Sequence, residues 1–172
     1  MLNRFGVLRP ACEADLEMML IWRNHPEVRK NMYTRHEISW DEHHSWWKKT
    51  SERKDQKYFI YEDQGKPSGV VSFVDIDLHN ENCFWAFYAS QDAYKGVGSR
   101  MEFLALSYVF ETLKVKKLSC EVLDFNKSVI RLHEKFGFKI EGVFRKHHKF
   151  DGGFVDIYRL SILNEEWLEI KD

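Results

Sequence analysis

The chain has 172 residues, 26 basic and 27 acidic side chains and a formal net charge of −1. It is long enough to bury one sizeable core, and its charge balance gives no field that calls for nucleic acid or an anionic membrane. The three cysteines, Cys12, Cys83 and Cys120, are widely spaced, and "MLNRFGVLRPACEADLEMML" lacks the apolar core of a signal peptide; disulfides, a zinc site and a membrane span are therefore not expected, and a reducing cytoplasm is.

A short strand is predicted over "FGVLR" (5–9), followed by a helix over "EADLEMMLIWRN" (13–24). "HPEVRKNMY" (25–33) reads as a second helix with Pro26 in its first turn. "SWDEHHSWWKKT" (39–50) opens on Ser39 and Glu42, a capping-box pattern. "KYFIYE" (57–62) and "SGVVSFVDID" (68–77) flank a glycine turn as a hairpin, and "CFWAFYA" (83–89) adds a third strand. The period then changes, with a helix over 96–113, a strand over "KLSCEVL" (117–123) and a helix over 126–136 capped by Asn126 and ended by Gly137. Two last strands flank "DGG". The order β-α-α-α-β-β-β-α-β-α-β-β is that of an α/β (α+β) layered domain, taken as a single domain over 1–172.

Two stretches carry chemistry. In "AYKGVGSRM" (93–101) a strand runs through a glycine turn into a helix. Gly96 and Gly98 allow a tight turn, and the first amides of the helix (Val97, Gly98, Ser99) face outward at the positive end of its dipole. That is a ready pyrophosphate site, with Lys95 and Arg100 available to add charge. The third glycine of a dinucleotide fingerprint and the lysine of a P-loop are both absent. In "NKSVIRLHEKFGF" (126–138), Val129, Leu132, His133 and Phe136 share one inward face. A histidine there is either a packed residue with one hydrogen bond or a working group. Glu121 is a carboxylate inside an apolar strand, either on a solvated sheet face or aimed into a cleft. Ser72, in "GVVSFV", is open to the same two readings. The adjacent pairs His43–His44 and His147–His148 match no metal-ligand spacing.

With these residues in view, the chain resembles the GNAT superfamily of acyl-CoA-dependent N-acetyltransferases, carried by "FYASQDAYKGVGSRM" and "CEVLDFNKSVIRLHEKFGF". The resemblance implies a central mixed, mostly antiparallel sheet flanked by helices, and acetyl-CoA as co-substrate. It places the pyrophosphate on the glycine turn, pairs the pantetheine arm with Phe87, Tyr88 and Ala89, and brings Asn126 to the cofactor. The usual Arg or Gln three residues before the first glycine is replaced by Ala93. His133 stands where a tyrosine is frequent, beside the thioester sulfur, and the resemblance implies that it protonates the departing thiolate. Glu121 is then the candidate base for the acceptor amine, and Ser72 a candidate to hold water or substrate.

The first third of such enzymes shapes the acceptor pocket. Here Arg23-Asn24-His25-Pro26, Met32-Tyr33, Ile38-Ser39, His43 and Trp46 are similar to the branch that acetylates a UDP-linked 4-amino-4,6-dideoxy sugar in pseudaminic acid biosynthesis. In that reading Met32, Tyr33, Trp46 and Tyr88 cover the sugar methyl and the base, while Arg23, His25 and His43 meet the polar part of the sugar nucleotide. The small-molecule partner would be that sugar nucleotide, with room for a homodimer. The alternatives are an N-terminal protein acetyltransferase, a spermidine-type enzyme, which needs a more acidic pocket, and a silent acyl-CoA-binding module.

Overall fold

A computed structural model describes residues 4–171. Its elements are β1 (Val7–Pro10), α1 (Leu16–Asn24), α2 (Pro26–Arg29), α3 (Trp40–Ser51), β2 (Lys57–Asp63), β3 (Lys66–Asp77), β4 (Asn82–Ala89), α4 (Val97–Ser107), β5 (Lys117–Leu123), α5 (Lys127–Lys135), β6 (Lys139–Phe150), β7 (Gly153–Leu163) and α6 (Asn164–Lys171). The expected order is present, with a 3₁₀ turn at Glu13–Asp15 ahead of α1 and a terminal helix, α6, that the sequence reading did not include. The second predicted helix is only the four residues of α2, and the 96–113 helix changes to π geometry over Tyr108–Leu113.

The strands form one seven-stranded sheet in the order β1-β2-β3-β4-β5-β7-β6. Every pairing is antiparallel except β4 with β5. The hairpins β2–β3 and β6–β7 turn on Gln64-Gly65 and Asp151-Gly152, all four at positive φ, which matches the twist of the strands they join.

Alternation along the strands sends side chains to two faces. Phe59, Tyr61, Val71, Phe73 and Trp85 pack with Val97, Met101, Leu106, Ile130 and Trp167, so α4, α5 and α6 cover one face. Ile60 and Val70 pack with Leu16, Met19 and Trp22, with Trp46, Trp47, Tyr58 and Tyr88 around them, so α1 and α3 cover the other. Gly137 ends α5 at φ +94°, as its position predicted. Asn126 precedes α5, but its side chain makes no capping bond; its Oδ1 accepts instead from the Ser128 hydroxyl at 3.4 Å. The Ser39 box is half formed: Ser39 Oγ accepts from the Glu42 amide, while the Glu42 carboxylate turns to His36.

Candidate active site

β4 and β5 pair only through Asn82, Cys83 and Phe84. Beyond that point they part, and the β5-facing edge of Trp85–Ala89 has no ladder partner. A cleft of ≈ 260 Å³ occupies the gap, lined by β4 residues Trp85–Ala89, by Cys120, Glu121 and Val122 of β5, and by Asn126 and His133. Because Cys120 and Val122 turn to the α4–α5 face, Glu121 turns to the other. The cleft is therefore a slot through the sheet, with His133 on the α4–α5 side and Glu121 on the side of α1 and α2. A second cavity of ≈ 350 Å³ adjoins it on that side, shares Met32, Ala86, Phe87 and Tyr88 with it, and is lined further by Arg23, Glu42, His43, Trp46, Tyr58 and Ser72.

His133 is 2% exposed, enclosed by the rings of Trp85, Phe87 and Phe138. Its Nδ1 lies 2.7 Å from Glu102 Oε1. Glu102, on α4, is fully buried, and its Oε2 has no partner. Burial pushes this carboxyl above the usual carboxylate range, against the opposing pull of His133. The sequence reading missed Glu102, although a signal was there: it interrupts the buried stripe Val97, Met101, Ala105, Leu106, Val109.

Glu121 Oε2 accepts a 2.6 Å hydrogen bond from the Tyr33 hydroxyl, and its Oε1 is 3.9 Å from Arg159. Burial and the neighbouring carboxylate push the Tyr33 phenol up, so it remains a donor. Ser72 Oγ donates to the Ala86 carbonyl at 3.3 Å, across the β3–β4 ladder at the floor of the second cavity. Burial also raises the Tyr88 phenol.

At the glycine turn, Gly96 has φ +98°, and a side chain there would begin with no atom within 4 Å, leaving room for a ligand at the backbone. Gly98 serves another purpose. A Cβ on it would meet Leu132 Cδ2 at 3.2 Å, so its missing side chain lets α4 and α5 approach each other and does not itself clear space for phosphates. Two further expectations change at this turn. The Val97 amide donates to the Tyr94 carbonyl at 3.3 Å, leaving Gly98 and Ser99 as the first-turn amides available to an anion. Arg100 is held by Asp63 at 3.1 Å and stacks over Tyr94, so it is not a free phosphate ligand; Lys95 is exposed.

The acceptor residues divide. Arg23 lines the second cavity, its Nη2 donating to the Thr34 carbonyl at 3.0 Å while Nη1 is buried without a partner. Met32, Trp46 and Tyr88 line it too. His43 also lines it, but its Nε2–H is committed to the Leu16 carbonyl at 2.9 Å, and burial lowers its pKa; it ties α3 to α1 and is not disposed to meet a diphosphate. His25 lines neither cavity: its Nδ1 accepts from the Glu27 amide and caps α2. Tyr33 reaches the site through Glu121. Among the described residues no cluster of His, Cys, Asp and Glu is arranged to hold a metal ion, and no helix is long and apolar enough to cross a membrane.

This geometry has known counterparts. A family model described as an acetyltransferase (GNAT) domain matches residues 7–139. The chain is 32% identical over 126 residues to acetyltransferase PseH of Campylobacter jejuni, covering 73% of this chain and 78% of that protein. It is 25% identical over 162 residues to spermidine N(1)-acetyltransferase of Escherichia coli K12, covering 94% and 87%. Its fold superposes on spermidine N-acetyltransferase from Vibrio cholerae, solved with CoA and spermine, at TM-score 0.89 and 24% identity, over 96% of this chain and 99% of that one. The parted strands, the open glycine turn and the match over 7–139 agree: the chain belongs to the GNAT family of N-acetyltransferases and uses acetyl-CoA.

Proposed function

We propose that the enzyme acetylates the 4-amino group of a UDP-linked 4-amino-4,6-dideoxy sugar, as a single N-acetyltransferase domain. The observation that carries this reading is Arg23. A guanidinium nitrogen buried without a partner, beside a cavity lined by Met32, Trp46, Tyr58 and Tyr88, suits an acceptor with an anionic part and flat or apolar parts. Glu42 also lines this cavity, but its carboxylate is held by His36. The similarity to PseH supports the same choice.

In this reading acetyl-CoA enters on the α4–α5 side. The amides of Gly98 and Ser99 hold the pyrophosphate, with Lys95 nearby; the open edge of Phe87–Ala89 pairs with the pantetheine arm, and Asn126 borders it. The sugar nucleotide enters from the α1–α3 side, and its amine reaches the slot from there. Amide formation joins the amine nitrogen to the acetyl carbon and breaks the carbon–sulfur bond. Glu121, directly or through water, accepts the proton that the amine loses. His133 gives a proton to the departing thiolate. Ser72 fixes the Ala86 carbonyl beneath the acceptor.

The polyamine reading is favoured by Glu27 and Glu121 at the cleft, by Glu42 at the second cavity and by similarity to the spermidine enzymes. The three carboxylates already have partners, Lys30, Tyr33 and His36. The test is mass spectrometry of the UDP-amino sugar and of spermidine after incubation with enzyme and acetyl-CoA. An added acetyl group on the sugar nucleotide is expected. Acetylation of spermidine alone would refute the proposal.

A further inference from the structure

A fully buried glutamate on an apolar helix stripe needs an explanation. Between Met101 and Ala105, a leucine or methionine would pack without cost, whereas a carboxylate withdrawn from water costs several kcal/mol unless it is paired. Glu102 caps no helix and bonds no backbone group. Among the described residues its one partner is His133 Nδ1 at 2.7 Å, and no lysine or arginine is bonded to it. The surroundings of His133 are equally telling. Its walls are Trp85, Phe87 and Phe138, which offer its ring nitrogens no hydrogen bond, and it is 2% exposed. Each group accounts for the other.

We propose that Glu102 is a positioning residue for acetyl transfer: it holds the His133 ring by Nδ1–H, supplies the counter-charge for the protonated ring, and leaves Nε2–H as the proton available at the slot. This rests on His133 being the group that protonates the thiolate. The proton balance is simple. Nε2 gives its proton to the sulfur, Nδ1–H stays on Glu102, the imidazole becomes neutral, and solvent returns the proton for the next turnover. The charge of the pair thus passes from zero to −1 during transfer and returns to zero when Nε2 is protonated again.

The other titratable groups that face this pair are Cys120 and Glu121 from β5, Tyr88 from β4 and Glu27 from α2. Burial pushes the Cys120 thiol and the Tyr88 phenol well up, so both stay neutral through the working range. Glu121 is engaged with Tyr33 and Glu27 with Lys30. Glu102 is the group whose removal should move the behaviour of His133.

The test compares the wild-type enzyme with Glu102→Gln and His133→Ala. Imidazole ¹⁵N shifts of the intact protein, with the His133 signal identified by its loss in His133→Ala, should show Nδ1 protonated across the active pH range. In Glu102→Gln the alkaline limb of kcat should move to lower pH by about 1–3 pH units, the scale for losing one adjacent opposite charge. KM for acetyl-CoA should change by less than about twofold, and Glu102→Gln should cost nothing further in a His133→Ala background, as expected of residues that act as a unit. A bare Nδ1 in the wild type overturns the proposal, and that measurement needs no acceptor. So does an unmoved pH profile in folded Glu102→Gln beside an impaired His133→Ala. A His133→Ala enzyme with normal kcat overturns the acid reading of His133, and this proposal with it.

Discussion

Replacing His133 by alanine should expose the cost of the buried carboxylate as a pH-dependent loss of stability. In the native protein Glu102 has one partner, at 2.7 Å, and no water-facing oxygen. Removing one partner of a buried ion pair costs about 3–5 kcal/mol when the survivor stays charged. Glu102 can instead take a proton, which leaves an unsatisfied buried polar group at about 1–3 kcal/mol. Which cost applies depends on pH. Burial already raises the Glu102 carboxyl, and His133 is the influence that lowers it. Without His133 the folded-state value rises further, while the unfolded chain titrates near ~4.3. Between those values the folded state binds more protons than the unfolded state, so stability falls as pH rises, by up to about 1.4 kcal/mol per pH unit. The variant should therefore lose more stability relative to wild type at pH 8 than at pH 5. At pH 8 the loss of about 3–5 kcal/mol corresponds to a Tm drop of roughly 6–20 °C for a chain of this size. Urea unfolding followed by tryptophan fluorescence at both pH values measures it. Adding Glu102→Leu to His133→Ala should restore much of the loss at pH 8. A loss that is equal at the two pH values, or below about 1 kcal/mol at both, would refute the reasoning.

Gly98→Val should lower Tm by about 2–10 °C through overpacking against Leu132, with weaker acetyl-CoA binding as the first turn of α4 shifts; Leu132→Ala should relieve it, and an unchanged Tm would show that α4 and α5 have slack there. Arg23→Met should raise KM for the UDP-amino sugar by about tenfold or more while leaving KM for acetyl-CoA within about twofold, read from initial rates with each substrate varied. Glu121→Gln should lower kcat by about 10²-fold, the scale for a lost base, whereas Tyr33→Phe, which removes only the 2.6 Å hydrogen bond to it, should cost less than tenfold. Equal effects of those two substitutions would make Glu121 an anchor for the 30–38 loop and not a base.

Much of this molecule is written in local pattern. The alternation in "KYFIYE", "GVVSFV" and "KLSCEVL" decided which side chains face which layer, and the glycine turns decided where chain direction reverses, because both depend on the backbone geometry of neighbouring residues. The inward placement of His133 and the turn of Glu121 away from Cys120 and Val122 followed from the same periods. The terminal helix α6 escaped because "NEEWLEIK" is short and buries chiefly Trp167, which gives little periodicity to read. What lay out of reach were the partners. Glu102 meets His133 across 31 residues, Arg100 meets Asp63 across 37, and Tyr33 meets Glu121 across 88. Those contacts are set by which helix crosses which strand at what distance. No local period contains them. Hence Arg100, expected at the turn for its charge, and His25 and His43, expected at the acceptor from the resemblance, are already engaged by Asp63, by the α2 cap and by the Leu16 carbonyl, while Glu102, hidden in an apolar stripe, is the partner His133 meets. Side-chain chemistry proposes the groups; only the packing of β4, β5, α4 and α5 around one slot decides which of them meet.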